Sequence, residues 1–420
     1  MRLTVKHVER QWVNVPFRPV AARNMVREVP HWTIFELCQV TLDCGVVGIG
    51  ETMVFYTWGT VTDENVARVL GRPATELMWD DSLGAGLQMA LFDAVAKAND
   101  IPVHQLLGHQ VRDDVSFSWW SIDMPAEDWV RECQTALTEG YISFKTKARP
   151  WWDVEAQVAA VAAAVPPHFD IDLDFNAMGC DSAHAVSILK RLERCPNVKI
   201  FESPIPQRDI AGNKYLRSQT SVPIAMHVNQ PPLMTALLED VCDGFVMSGG
   251  ANQIMHESRV IAEANKVFWL QLVGTGLTAA WSIHLSAVCS HARWPAISCH
   301  NLYLHPLVKS LGSMRNGCLP VPTAPGLGVE VDWDAVEKYR MDPIPKPYPH
   351  PGLLIRVNWP SGEQDHYAHG LQYWHDFMTA RKPIFSPGVS MEIIPDDGSS
   401  EWQRLRAACL SKPEWDMRPN

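Results

Sequence analysis

Two lysines one residue apart, Lys145 and Lys147 in Ser143-Phe-Lys-Thr-Lys147, begin a series of polar residues that could do chemistry together. Asp174 and Asn176 follow in Asp170-Ile-Asp-Leu-Asp-Phe-Asn176, Glu202 in Lys199-Ile-Phe-Glu-Ser-Pro204, and His227 at the end of Val222-Pro-Ile-Ala-Met-His227. Positions i and i+2 of a strand share a face, so the two lysines would project together. One could bind a substrate carboxylate. The other, its pKa lowered by a cationic neighbour and by burial, could be a general base. On a solvent-facing strand the same pair would be two hydrated surface charges. Asp174, Glu202 and His227 are hard or borderline donors, and if they converge they suit a divalent cation. Taken singly, each is as well explained by a cap or a salt bridge.

Such groups recur roughly every 25 to 30 residues, each at the end of an apolar run. That is how a parallel barrel presents chemistry at one rim. Strands are expected at 115–120, 142–147, 169–175, 198–202, 224–227, 244–247, 267–272 and 296–299, with helices between them. Eight strands in this alternation predict a parallel α/β barrel. An open doubly wound sheet is the alternative, weakened because no Gly-rich phosphate loop follows the first strand. Before the barrel, the turn Asp43-Cys-Gly45 joins two alternating runs as a hairpin, and 85–108 carries an apolar helical face. The expected organisation is an α+β capping domain over 1–112, the barrel over 113–320, a return to the cap over 321–345, and a C-terminal extension of unassigned role over 346–420.

At 420 residues the chain suits a barrel plus a smaller domain. A net charge of −11 and the lack of a Lys/Arg-rich run argue against nucleic acid or an anionic membrane as partner. The ten cysteines are scattered, with no CxxC pair, which suits free thiols in a reducing cytoplasm. No signal-peptide-like or membrane-spanning apolar run is visible. A small carboxylate is the expected partner, bound by local cationic groups, in a protein expected to be a homo-oligomer.

The chain resembles the enolase superfamily, in its mandelate racemase/muconate lactonizing branch, over roughly residues 1–335. The resemblance rests on Asp43-Cys-Gly-Val-Val-Gly-Ile-Gly-Glu51, on Met89-Ala-Leu-Phe-Asp-Ala-Val-Ala-Lys-Ala98 with Ile101-Pro-Val-His-Gln-Leu-Leu-Gly108, on the site motifs above, and on Pro325-Gly-Leu-Gly-Val-Glu-Val-Asp332. It implies a (β/α)7β TIM-like barrel with an N-terminal α+β cap, and one Mg2+ holding a substrate carboxylate as its enediolate forms. It makes Asp174 and Glu202 the first two metal ligands, Lys147 the base and Lys145 its electrostatic partner. The cap loop from Arg23 to Trp32 would close over the substrate.

The chain departs from that pattern at several positions. His227 stands where a third carboxylate is usual, which would favour Mn2+ or another imidazole-tolerant ion, or mark a metal site partly lost. Ser248 and Gln271 stand where a second base is usual, at the ends of strands six and seven. His300, after strand eight, is a candidate acid or a hydrogen-bonded rim histidine. Asn176, Ser248, Gln271 and Trp119 are the candidate substrate contacts. Transfer of a proton between faces needs two bases, whereas syn elimination or cycloisomerisation can run on one. The expectation is therefore a dehydratase or other lyase of a hydroxy-acid or sugar acid. The alternatives are a racemase, epimerase or cycloisomerase, and a carboxylate-binding descendant without the chemistry.

Overall fold

The computed structural model describes residues 3–56, 60–342 and 352–415. Strands β1 (Val5–Asn14), β2 (Ile34–Leu42) and β3 (Val47–Met53) form an antiparallel sheet, and Arg340–Met341 pairs with the free edge of β1. Helix α1 (Ala85–Ala98) packs across this sheet. It is buried almost all round, consistent with a position between cap and barrel, where Phe92 meets Trp281 at 5.2 Å. Gly50 makes the close approach possible: a Cβ there would lie 2.2 Å from the Gly86 carbonyl oxygen.

Seven parallel strands form the second sheet, in sequence order: β4 (Trp119–Trp120), β5 (Ser143–Lys147), β6 (Asp170–Asp174), β7 (Val198–Glu202), β8 (Ile224–His227), β9 (Gly244–Met247) and β10 (Val267–Leu270). A helix follows each strand, the last being α2 (Gly276–Val288). This is the α/β TIM-like fold with an N-terminal cap that the strand–helix alternation predicts. Two expected strands differ. The run at 115–120 divides: Asp114–Ser116 pairs antiparallel with Cys318–Pro320, and only Trp119–Trp120 joins the barrel. The run at 296–299 is reduced to single bridges, Ala296 to Phe117 and Ile297 to Gln271, which close the ring between first and last strands. Pro295 lacks a donor just before it, and Cys299 takes a left-handed φ of 58° that turns the chain into a short 3-10 helix at His300–Leu302.

The motif residues outside the barrel rim hold the parts together. Glu51 is buried and accepts from the backbone N–H groups of Thr275 and Thr278, at 2.7 and 2.8 Å, and from the Thr275 hydroxyl at 2.6 Å. It thereby caps α2 from the other domain. Asp93 accepts from Ile49 N and Leu327 N, at 2.8 and 2.7 Å, tying α1 to β3 and to the returning segment.

Residues 353–415 form a three-stranded antiparallel sheet, with Leu354–Asn358 between Gln364–Tyr367 and Ser390–Ile394, and two helices: α3 (Gly370–Met378) and Ser400–Cys409. Phe377, Phe385 and Met391 join the main apolar core, and Phe385 meets Phe175 at 5.7 Å. Among the described residues no helix is long and apolar enough to cross a membrane.

Candidate active site

Parallel register places Lys147, Asp174 and Glu202 side by side at the carboxyl ends of β5, β6 and β7. Glu202 aligns with Ala225 of β8, so His227 lies two residues further towards the rim. Lys145 is 1% exposed. Its ammonium lies 2.5 Å from Glu202 Oε2 and 3.8 Å from Asp174 Oδ2, donates to Gln271 Oε1 at 2.7 Å, and has the Trp269 ring 5.3 Å away. Lys147 is 14% exposed and donates to Asp174 and, at 3.0 Å, to Asn176 Oδ1. Asn176, in a left-handed turn, donates its backbone N–H to Asp174 Oδ1 at 2.8 Å.

This geometry separates the two lysines. Burial opposes charge on both. At Lys145, Glu202 and Asp174 outweigh burial and hold the pKa above the ordinary lysine value. At Lys147, burial together with the Lys145 and Arg149 charges outweighs Asp174, and the pKa falls. Burial of Asp174 is likewise overcome, by Lys147, Lys145 and Arg149, which keep it ionised far into acid. The pair therefore comprises one lysine held charged and one biased towards the free amine.

The three expected metal donors reach neighbouring strand ends but do not close on one point. Asp174 is committed to Lys147, the Lys145 ammonium lies against Glu202, and His227 Nε2 is 3.0 Å from Glu202 Oε1. Among the described residues no three His, Cys, Asp or Glu side chains are grouped as a ready coordination sphere. The donor chemistry nonetheless fits a divalent cation. Both Glu202 oxygens are buried at ion-pair distances from Lys145 and His227, yet neither has an aligned hydrogen bond. A buried carboxylate in that condition has capacity for a further cation.

A cavity of about 770 Å3 opens above these strand ends. Lys147, Asn176, His227 and Gln271 line it, as do Arg27, Glu28, Val29 and Trp32 of the cap loop. Trp119 does not: its indole N–H donates to Glu132 at 2.8 Å, on helix Ala126–Thr138. The neighbouring residue Trp120 faces the cavity instead, with Lys147 Nζ 5.9 Å from its ring and the tilted Trp32 ring 5.6 Å from it. Ser248 lies in an adjoining pocket of about 40 Å3, between cap and barrel. His300 is not on the cavity wall. It bonds Tyr141 at 2.9 Å and Ser298 at 2.5 Å, and burial lowers its pKa to about 4, so at neutral pH it is uncharged. Several wall residues were not singled out from the sequence, Arg149, Tyr56, Trp374 and Arg208 among them. Arg149 extends the lysine cadence to i, i+2, i+4, a signal that was present. Tyr56, hydrogen-bonded to Gln271, and Trp374, from the extension, carried no local signal.

Residues 128–335 match the family model described as enolase C-terminal domain-like. An N-succinylamino acid racemase of Thermus thermophilus is 26% identical over 60% of this chain and 70% of its own length. A D-gluconate dehydratase of Thermoproteus tenax is also 26% identical, over 66% of this chain and 60% of its own. The crystal structure of a muconate cycloisomerase from Pseudomonas fluorescens superposes with a TM-score of 0.67, at 20% identity, over 81% of this chain and 99% of that one.

Proposed function

Because this chain belongs to the enolase superfamily, in its mandelate racemase/muconate lactonizing branch, we propose that it removes the α-proton of a small carboxylate, and that it is a dehydratase or related lyase of a hydroxy-acid or sugar acid. The observation that carries this reading is the asymmetry of the lysine pair. Lys147 is the only lysine on the described cavity wall, and its pKa is lowered, while that of Lys145 behind it is raised. A free amine at Lys147 takes the α-proton, and the electron pair passes into the carboxylate. Lys145, held charged, stabilises the developing negative charge. On collapse of a substrate with hydroxyls on both the α- and β-carbons, the β-hydroxyl leaves with a proton returned from the Lys147 ammonium, giving water and an enol that tautomerises to the 2-oxo acid. Asn176 keeps the Lys147 nitrogen in place through its 3.0 Å bond. Asp174, Glu202 and His227 would hold a divalent cation, Mg2+ or an imidazole-tolerant ion such as Mn2+, which when bound supplies positive charge to the substrate carboxylate.

One-base chemistry is favoured because His300 is off the wall and Ser248 and Gln271 are not bases. His227 is the one described imidazole on the wall, and this supports the second reading, racemisation or epimerisation. The variant Lys147→Ala is expected to lose turnover of any acid the native protein converts, by a factor of 100 or more on the order usual for a general base, with its circular dichroism spectrum unchanged. Retained turnover in a folded variant would refute Lys147 as the base. Product that is the epimer of the substrate, with no 2-oxo acid formed, would select the second reading.

A further inference from the structure

Beyond the lysine end, the cavity has a second cationic centre. Arg149 is 3% exposed and lines the cavity, yet its Nε and one terminal nitrogen have no hydrogen-bond partner. Its nearest carboxylate is Asp123, with Nε 3.9 Å from Oδ1. Of that carboxylate only Oδ2 is engaged elsewhere; Oδ1 has no hydrogen bond of its own. Asp123 Oδ2 accepts from Arg27 at 3.1 Å, from Trp151 at 2.8 Å and from Trp152 at 2.7 Å, and Arg27 adds a 2.6 Å bond to the Asp123 carbonyl. One aspartate thus faces two guanidinium groups. Glu28, the other carboxylate nearby, is pushed towards its neutral form by burial and by Asp123.

Two neighbouring indole rings, themselves 5.9 Å apart, lie against Arg149. Its guanidinium lies 4.9 Å from the Trp374 ring of α3 and 5.9 Å from that of Trp151. Helix α3 is fixed over this spot by Tyr373, whose hydroxyl donates to Glu28 at 2.9 Å and packs against the Arg27 guanidinium at 3.3 Å. Gly370 permits the approach: a Cβ there would lie 2.9 Å from the Arg27 carbonyl oxygen. Three arginines (Arg27, Arg149 and Arg208) line the cavity beside Lys147, against one carboxylate, Glu28.

A buried guanidinium with unfilled donors, set against two indole rings in the wall of a cavity, is suited to receive an anionic oxygen group. We propose that Arg149, packed against Trp374 of the C-terminal extension, binds a second anionic group, so that the ligand is a dianion spanning from Lys147 to Arg149. This rests on the reading of the Lys147 end as the site of the reacting carboxylate. The extension then selects substrate, by covering the end of the cavity that holds the second charge.

The test is binding, and needs no turnover. Linear dicarboxylates of increasing length, phosphoglycolate, and monocarboxylates of matched length are titrated against the full-length protein by tryptophan fluorescence and thermal shift. At least one dianion is expected to bind tenfold or more tightly than its matched monoanion. Phosphoglycolate against the dicarboxylates identifies the second group as phosphate or carboxylate. In Arg149→Gln the preference for the dianion over its matched monoanion is expected to vanish. Absence of dianion preference in the native protein, which requires no variant to fold, overturns the proposal, as does a preference that survives in Arg149→Gln. Dianion preference without proton abstraction would sink the catalytic reading alone; proton abstraction without dianion preference would sink only this one.

Discussion

Lys145 and Lys147 share a strand face and differ in charge bias because of what lies behind each. Lys145 has Glu202 and Asp174 against it, whereas Lys147 has Asp174 in front and two cations beside it. The sign follows directly. A base must be unprotonated, so kcat/KM should rise with pH through the Lys147 pKa and level off below the ordinary lysine value of about 10.4. A rising limb centred at or above that value would contradict the assignment. Glu202 carries a second residue-level prediction. If its two oxygens and His227 take up a divalent ion, Mg2+ or Mn2+ at a hundredfold excess over Kd should stabilise the protein by about 2.7 kcal/mol. Glu202→Gln should remove most of that gain in a thermal melt. An equal gain in Glu202→Gln would place the ion elsewhere. These residues were legible as a set because residue types recur at strand ends. The direction of a single side chain was less so: Trp119 and Trp120 are adjacent, a strand sends them to opposite faces, and nothing local says which face is the cavity.

At the scale of elements, most strands and helices follow from apolar runs closed by polar or glycine positions. The eighth strand does not, because Pro295 and the left-handed Cys299 override an otherwise strand-like Ala296-Ile-Ser-Cys299. The cap motif ending in Glu51 could be recognised without its role being visible, since Thr275 and Thr278 are more than 220 positions away. The structure makes Glu51 the cap of α2. Glu51→Ala should leave three donors without their acceptor and cost about 2–3 kcal/mol, read as a fall of several degrees in Tm. An unchanged Tm would mean that water replaces the carboxylate and that this joint is not structural. Arg149 belongs here too, since its place depends on β5 carrying its alternation two residues beyond the last paired position.

Over the whole molecule, cap, barrel and extension each supply one wall of the cavity. The pairs Arg18–Glu132, Arg23–Asp128 and Arg27–Asp123 pin the cap loop to the barrel, and Tyr373 pins the extension to that loop. The extension also contributes side chains to the main core, so thermal or urea unfolding should be a single transition with coincident probes. A separate early transition, removed by deleting residues 353–420, would show that the extension folds independently. Its Pro- and Trp-rich sequence did not disclose this contribution, because the surfaces it covers come from three other parts of the chain. On the cavity wall, Lys147 is the group proposed to move an α-proton. The direct measurement is incubation of the protein in D2O with a panel of small hydroxy-acids and dicarboxylates, followed by mass spectrometry of substrate and product. Deuterium is expected at the α-carbon of recovered substrate, or loss of the α-hydrogen in a 2-oxo acid product, with both absent in Lys147→Ala. Deuterium incorporation or dehydration at native rates in a folded Lys147→Ala variant would contradict it.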